Sequence, residues 1–157
     1  MANIETNSVS DEVIPLWING QSLVPSDLKK FPVRSAKNND KTIHHAVSAN
    51  VALAMKACDS ASVAFETWKD KSAVERRDIL FKAADLILER RDAFIKAQMD
   101  ETSASEFWAD LNVTVGSSHI REIASRITAM SGVIPQSKME YAMAFREPLG
   151  VTLAIPP

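Results

Sequence analysis

Arg146-Glu147-Pro148-Leu149-Gly150-Val151-Thr152-Leu153-Ala154-Ile155-Pro156-Pro157 is the stretch on which the fold turns. Glu147-Pro148-Leu149-Gly150 reads as a turn, because proline fixes its own φ and glycine accepts the positive φ that other residues resist. Val151 to Ile155 is apolar on both faces, with no charge to mark a solvent side. Such a run suits a central strand of a parallel sheet covered by helices, whereas a half-exposed strand alternates. It stops at Pro156-Pro157 with no partner strand following, and a lone buried parallel strand of this kind is expected to be physically incomplete. Just upstream, Met139, Tyr141, Met143 and Phe145 alternate with Glu140, Ala142, Ala144 and Arg146, the period of a half-buried strand.

Four helices are expected before these strands. Val47, Val51, Ala54, Cys58, Ala61, Phe65 and Trp68 recur at spacings of three and four, so the first helix is predicted to bury this stripe, with Ser48 as its cap. Ser72-Ala73-Val74-Glu75 is a capping-box signature. It opens a second helix that should bury Ile79, Leu80, Ala83, Leu86 and Ile87, with Asp78 and Lys82 paired outside. Asp92 is expected to cap a third helix through Glu101, with Phe94, Ile95 and Met99 inward. A fourth, from about Ser105 to Met130, carries Phe107, Leu111, Val115, Ile123, Ile127 and Met130 on its expected inner side. The β-branched Val113-Thr114-Val115 and Gly116 are potential interruptions. Ser131-Gly132 followed by Pro135 stops it.

At the other end, residues 1 to 13 read as a polar, disordered tail. Leu16 to Val24 reads as a β-hairpin, because Asn19-Gly20 supplies the two positive φ angles of a type I′ turn. Phe31 to Arg34 and Lys41 to His44 are short strands around the turn-prone Asn38-Asn39-Asp40.

Composition narrows the function. Of 157 residues, 18 are basic and 20 acidic, a net charge of −2, which gives no electrostatic footprint for nucleic acid or an anionic membrane. No apolar run is long enough for a membrane helix, and the polar start is unlike a signal peptide, so the expected location is cytoplasmic. The four glycines are too scattered for a G-x-G-x-x-G or Walker loop. The single cysteine, Cys58, falls on the first helical stripe and reads as a packing residue, not a nucleophile. His44-His45 point to opposite faces of a strand and read as surface histidines, with no ligand set around them. His119, Ser117, Ser118 and Asp110 have the letters of a triad without evidence of its geometry. Arg76-Arg77 and Arg90-Arg91 are flanked by acids and read as solvated helix faces. Asn112-Val113-Thr114 matches a glycosylation sequon that a chain without a secretory signal would not use. Trp17, Trp68 and Trp108 are expected in the core or at contacts. No metal site is expected.

The chain resembles the amino-terminal part of the aldehyde dehydrogenase superfamily, over roughly residues 15 to 157. Leu16-Trp17-Ile18-Asn19-Gly20 is similar to that family's opening hairpin. Ala64-Phe65-Glu66-Thr67-Trp68, with Ser72, Glu75-Arg76 and Leu80, is similar to its first helix pair. Ala83-Ala84-Asp85-Leu86-Ile87, Glu89-Arg90 and Glu101-Thr102 continue the pattern. Arg146-Glu147-Pro148-Leu149-Gly150-Val151, through Ile155-Pro156-Pro157, is its most specific element. The stretch from Ile134 to Pro148 is similar to the branch acting on aromatic aldehydes such as salicylaldehyde or vanillin.

The resemblance implies an α/β fragment of an NAD(P)-dependent oxidoreductase. Residues 14–135 would be the hairpin and helical layer of the cofactor domain, 136–149 an oligomerisation-arm strand, and 150–157 the first strand of the Rossmann-like NAD(P)-binding domain. Strand ends in such sheets face the ligand crevice, so Ile155, Pro156 and Pro157 would lie against the nicotinamide of NAD or NADP. The family's nucleophilic cysteine, glutamate base and oxyanion-hole asparagine have no equivalents in these residues. The chain is therefore expected to be truncated, without activity alone and without tight cofactor binding. The alternatives are a non-catalytic fragment that docks on a full-length relative, forming a homo- or hetero-oligomer through residues 139–147, or a remnant that folds poorly.

Overall fold

The computed structural model describes residues 12–38, 41–136, 138 and 142–156. Two compact units divide the chain. The first joins Met1–Ser60 to Asp92–Leu111, and the second joins Ala61–Arg91 to Asn112–Pro157.

In the first unit, β1 (Val13–Ile14), β5 (Thr42–Val47) and β4 (Lys30–Arg34) form a sheet in that order. β4 and β5 are antiparallel, with an irregularity between Val33 and Arg34, and β1 adds parallel to β5. This corrects the reading of residues 1 to 13 as a tail. Val13 is ordered opposite His45, and the Glu12 carbonyl accepts the His45 amide at 3.0 Å. The rest of that expected tail, residues 1–11, lies outside the described residues, as do Asn39 and Asp40. β2 (Leu16–Ile18) and β3 (Gln21–Leu23) form the expected hairpin. Asn19 and Gly20 have φ of 53° and 69°, the two positive angles that a type I′ turn requires.

α1 (Val51–Trp68) starts later than expected. Ser48 spends its amide on the Lys29 carbonyl, and Asn50 caps the helix through Oδ1, which accepts the Leu53 amide at 2.9 Å. α3 (Arg91–Thr102) begins before Asp92, so that residue stands in the first turn and is not the cap. α3 ends through Ser103, whose positive φ of 59° closes the last turn onto the Met99 carbonyl.

α2 (Ala73–Glu89) lies in the second unit and carries the complete capping box. The Glu75 amide donates to Ser72 Oγ at 3.2 Å, and the Ser72 amide donates to Glu75 Oε2 at 2.8 Å. The Ser72 hydroxyl, which donates to Glu75 Oε2 at 2.7 Å, and then the Ser72 amide favour the charged carboxylate and hold Glu75 below the usual carboxylate range. α4 (Glu106–Ser125) runs through Val113-Thr114-Val115-Gly116 without interruption, then tightens into a 3₁₀ turn at Arg126–Ala129.

The inward faces match the expected ones in part: Phe65 on α1, Leu80, Ala83, Leu86 and Ile87 on α2, and Ile95 on α3 are half-buried, and the differences lie mainly on α1 and α4. α1 turns Leu53, Ala57 and Ser60 partly inward, whereas Val51, Ala54, Cys58 and Ala61 are exposed. On α4 the buried residues are Ala109, Val113, Ser117 and Ala124, and Phe107, Leu111, Val115, Ile123 and Met130 are exposed. On α2, Ile79 is exposed and Ala84 is fully buried; on α3, Phe94 and Met99 are exposed. Small side chains on α2 and α4 let the helix backbones approach, and Ser117 Oγ donates to the Ala84 carbonyl at 3.0 Å. Beside that contact, Phe81 lies between the Arg77 and Arg121 guanidiniums, 5.8 and 5.7 Å from its ring centre. Arg77 is held by Asp78 at 3.0 Å and Arg121 by Asp85. Asp78 therefore pairs with its neighbour Arg77, not with Lys82, because the guanidinium fork also stacks on Phe81.

Candidate functional site

The segment that the sequence marks for cofactor contact begins at Gly150, whose φ of +100° is the positive angle expected there, although residues 147–150 form no turn. Val151, Leu153 and Ile155 are 48%, 87% and 84% exposed, and residues 151–156 pair with no strand among the described residues. The expected strand is thus an apolar segment with unpaired backbone. A strand exists only through its ladder, and no edge among the described residues supplies one. Ile155 and Pro156 are exposed, and Pro157 lies outside the described residues. The donor set here is apolar, which fits the wall of an aromatic ring and does not fit a phosphate.

Among the described residues, the expected arm strand at 136–149 shows one antiparallel bridge. Val133 and Ala144 exchange amide–carbonyl bonds of 3.0 and 2.9 Å. Gly132 makes this approach possible, since a Cβ there would meet the Ala144 carbonyl oxygen at 2.5 Å. Arg146 Nε donates to the Ser131 carbonyl at 3.2 Å and ties the two ends together. Met143 and Phe145 are exposed; Met139, Glu140 and Tyr141 lie outside the described residues.

A groove of about 480 Å³ in the first unit was not foreseen. Ala93 and Ala97 on α3 leave its space, and Glu12, Lys41, His44, Lys96, Asp100 and Glu101 supply its charges. His44 Nε2 lies 3.6 Å from Glu101 Oε1, and the Ala36 amide donates to the Glu101 carbonyl at 3.3 Å. The hydrogen bond from Lys96 to Asp100, and secondarily the Asp100 charge, raise the lysine above its ordinary pKa. His44 is paired with Glu101 and Lys96 with Asp100, and no cysteine lines the groove. The i,i+4 spacing of Lys96 and Asp100 was a readable signal; the approach of Glu101 to His44, far apart in sequence, was not.

The remaining candidates resolve against catalysis. Cys58 is exposed, not packed. Both His44 and His45 are half-buried, not surface residues, and no group of three or more metal-ligating side chains is found among the described residues. Ser117 is spent on the Ala84 carbonyl and Ser118 Oγ on the Thr114 carbonyl, so neither addresses His119. Arg76 and Arg77 are half-buried, and Arg76 Nε is a buried donor without a partner. Trp17 and Trp108 are 70% and 54% exposed, and Trp68 is also exposed, which corrects their core assignment.

A small N-terminal hairpin, four helices and an unpaired apolar segment after Pro148-Leu149-Gly150 are thus the features to be matched. The sequence pattern of the aldehyde dehydrogenase family matches residues 23–157. The chain belongs to that family. It is 35% identical to salicylaldehyde dehydrogenase of Pseudomonas putida over 144 residues, 90% of this chain and 30% of that protein. It is 34% identical to vanillin dehydrogenase of Pseudomonas fluorescens over 146 residues, 92% of this chain and 30% of that protein. The crystal structure of salicylaldehyde dehydrogenase from Pseudomonas putida G7 complexed with salicylaldehyde superposes with a TM-score of 0.81 at 31% identity. That superposition covers 88% of this chain and 29% of that one. The chain therefore spans about 30% of the length of these aldehyde dehydrogenases. The fold is that of part of an aldehyde dehydrogenase. No helix is long and apolar enough to cross a membrane among the described residues.

Proposed function

We propose that these residues are the scaffold portion of an NAD(P)-dependent aldehyde dehydrogenase that oxidises an aromatic aldehyde to its carboxylic acid. The observation that carries this reading is 34–35% identity, across at least 90% of the chain, to enzymes named for salicylaldehyde and vanillin. In the proposed enzyme Ile155, Pro156 and Pro157 form an apolar wall beside the nicotinamide, and residues 139–147 serve oligomerisation. When bound, the dinucleotide accepts hydride; the contribution of these residues is to shape one side of its seat.

Residues 1–157 by themselves are proposed to turn over no aldehyde. The only cysteine, Cys58, stands exposed on α1, at a position that does not match the family's nucleophile in context or order. Oxyanion donors alone are worth about 3–4 kcal/mol each in acyl chemistry, and covalent capture is lost as well. The test has two arms. The 157-residue chain is mixed with salicylaldehyde or vanillin and NAD⁺ or NADP⁺, and NAD(P)H absorbance should stay at the blank. Residues 15–157 are then exchanged for the matching segment of the Pseudomonas putida salicylaldehyde dehydrogenase. The chimera should keep kcat/KM for salicylaldehyde within about tenfold, a change of roughly 1.4 kcal/mol. Turnover by the chain alone, or a folded chimera without activity, overturns the reading.

The exposed Met143 and Phe145 beside the Val133–Ala144 bridge favour a second reading, a non-catalytic fragment that adds to the sheet of a full-length relative. Co-elution with the intact salicylaldehyde dehydrogenase in size-exclusion chromatography supports it. Separate elution removes it.

A further inference from the structure

We draw no further inference here: the strongest candidate, the exposed apolar face of α1 at Val51, Ala54 and Met55, is an unpartnered helix face, and nothing in the structure shows what covers it.

Discussion

Replacing Ala84 by leucine tests which faces of the helices are internal. Ala84 is fully buried, and its carbonyl accepts the Ser117 hydroxyl at 3.0 Å, so three added carbons have no space without moving α4 away. Overpacking of this kind costs about 1–3 kcal/mol. For a chain of this size each kcal/mol lowers Tm by about 2–4 °C, which gives a fall of roughly 2–12 °C. Part of that cost is the Ser117 hydrogen bond, whose loss alone is worth about 0.5–1.5 kcal/mol. Ser117→Ala should therefore add little on top of Ala84→Leu, because the two changes break the same contact. The control is Ala54→Leu. The hydrophobic period of α1 places Ala54 inside, but the structure exposes it, so that variant should melt within about 0.5 kcal/mol of the parent. Thermal and urea unfolding followed by far-UV circular dichroism measures all four proteins. An Ala54→Leu chain that loses more stability than Ala84→Leu would show that the helices are packed through the opposite stripes, and the reasoning would fail.

Ser72→Ala removes the cap of α2 and should cost about 1 kcal/mol in the same melts. Its difference from the parent should also depend on pH. The Ser72 hydroxyl and amide hold Glu75 below its ordinary pKa. Their stabilisation is thus fully present above the unfolded-state pKa and disappears as pH falls through the lowered folded value; a gap between the two proteins that stays constant down to strongly acidic pH contradicts this assignment. Gly132→Ala should break the Val133–Ala144 bridge, because the new Cβ meets a backbone oxygen that cannot swing aside. Hydrogen exchange should then show faster exchange of the Val133 and Ala144 amides with unchanged protection in α2. Unaltered protection at those two amides would mean that the close approach is absent.

Local chemistry was the legible part of this fold. Asn19-Gly20, the Ser72–Glu75 box and Gly150 each act through one or two backbone angles or amides, and each stands where its residue type demands. The third strand of the first sheet was not legible, because two residues, Val13 and Ile14, carry no alternation to read. Helix existence was readable and helix orientation only in part: the period places Leu80, Ala83, Leu86 and Ile87 of α2 inward, as found, but misses the inner face of α4. α4 presents one exposed stripe of larger apolar residues, Phe107, Leu111 and Ile123, and one buried stripe of smaller residues, Ala109, Val113, Ser117 and Ala124. Periodicity gives the larger stripe more weight, whereas close helix approach selects Ala84, Val113, Ser117 and Ala124. Of the site, the positive φ at Gly150 was legible, but the His44–Glu101 approach joins residues whose separation no pattern encodes.

The distribution of large apolar side chains makes one further argument about the role of these residues. Fully burying a Leu, Ile or Phe side chain stabilises by about 1.5–3 kcal/mol, and the described structure leaves Phe107, Ile123, Phe145, Leu149, Leu153 and Ile155 mostly exposed. Soluble chains seldom leave so much apolar side-chain surface exposed without an interaction to use it. The aldehyde dehydrogenase family match spans residues 23–157, which include these side chains. A chimera that transplants the stretch measures that interaction directly. Its stability should rise when these side chains meet the rest of an aldehyde dehydrogenase, and its choice of aldehyde should follow the host, because the host brings the nucleophile and most of the substrate wall.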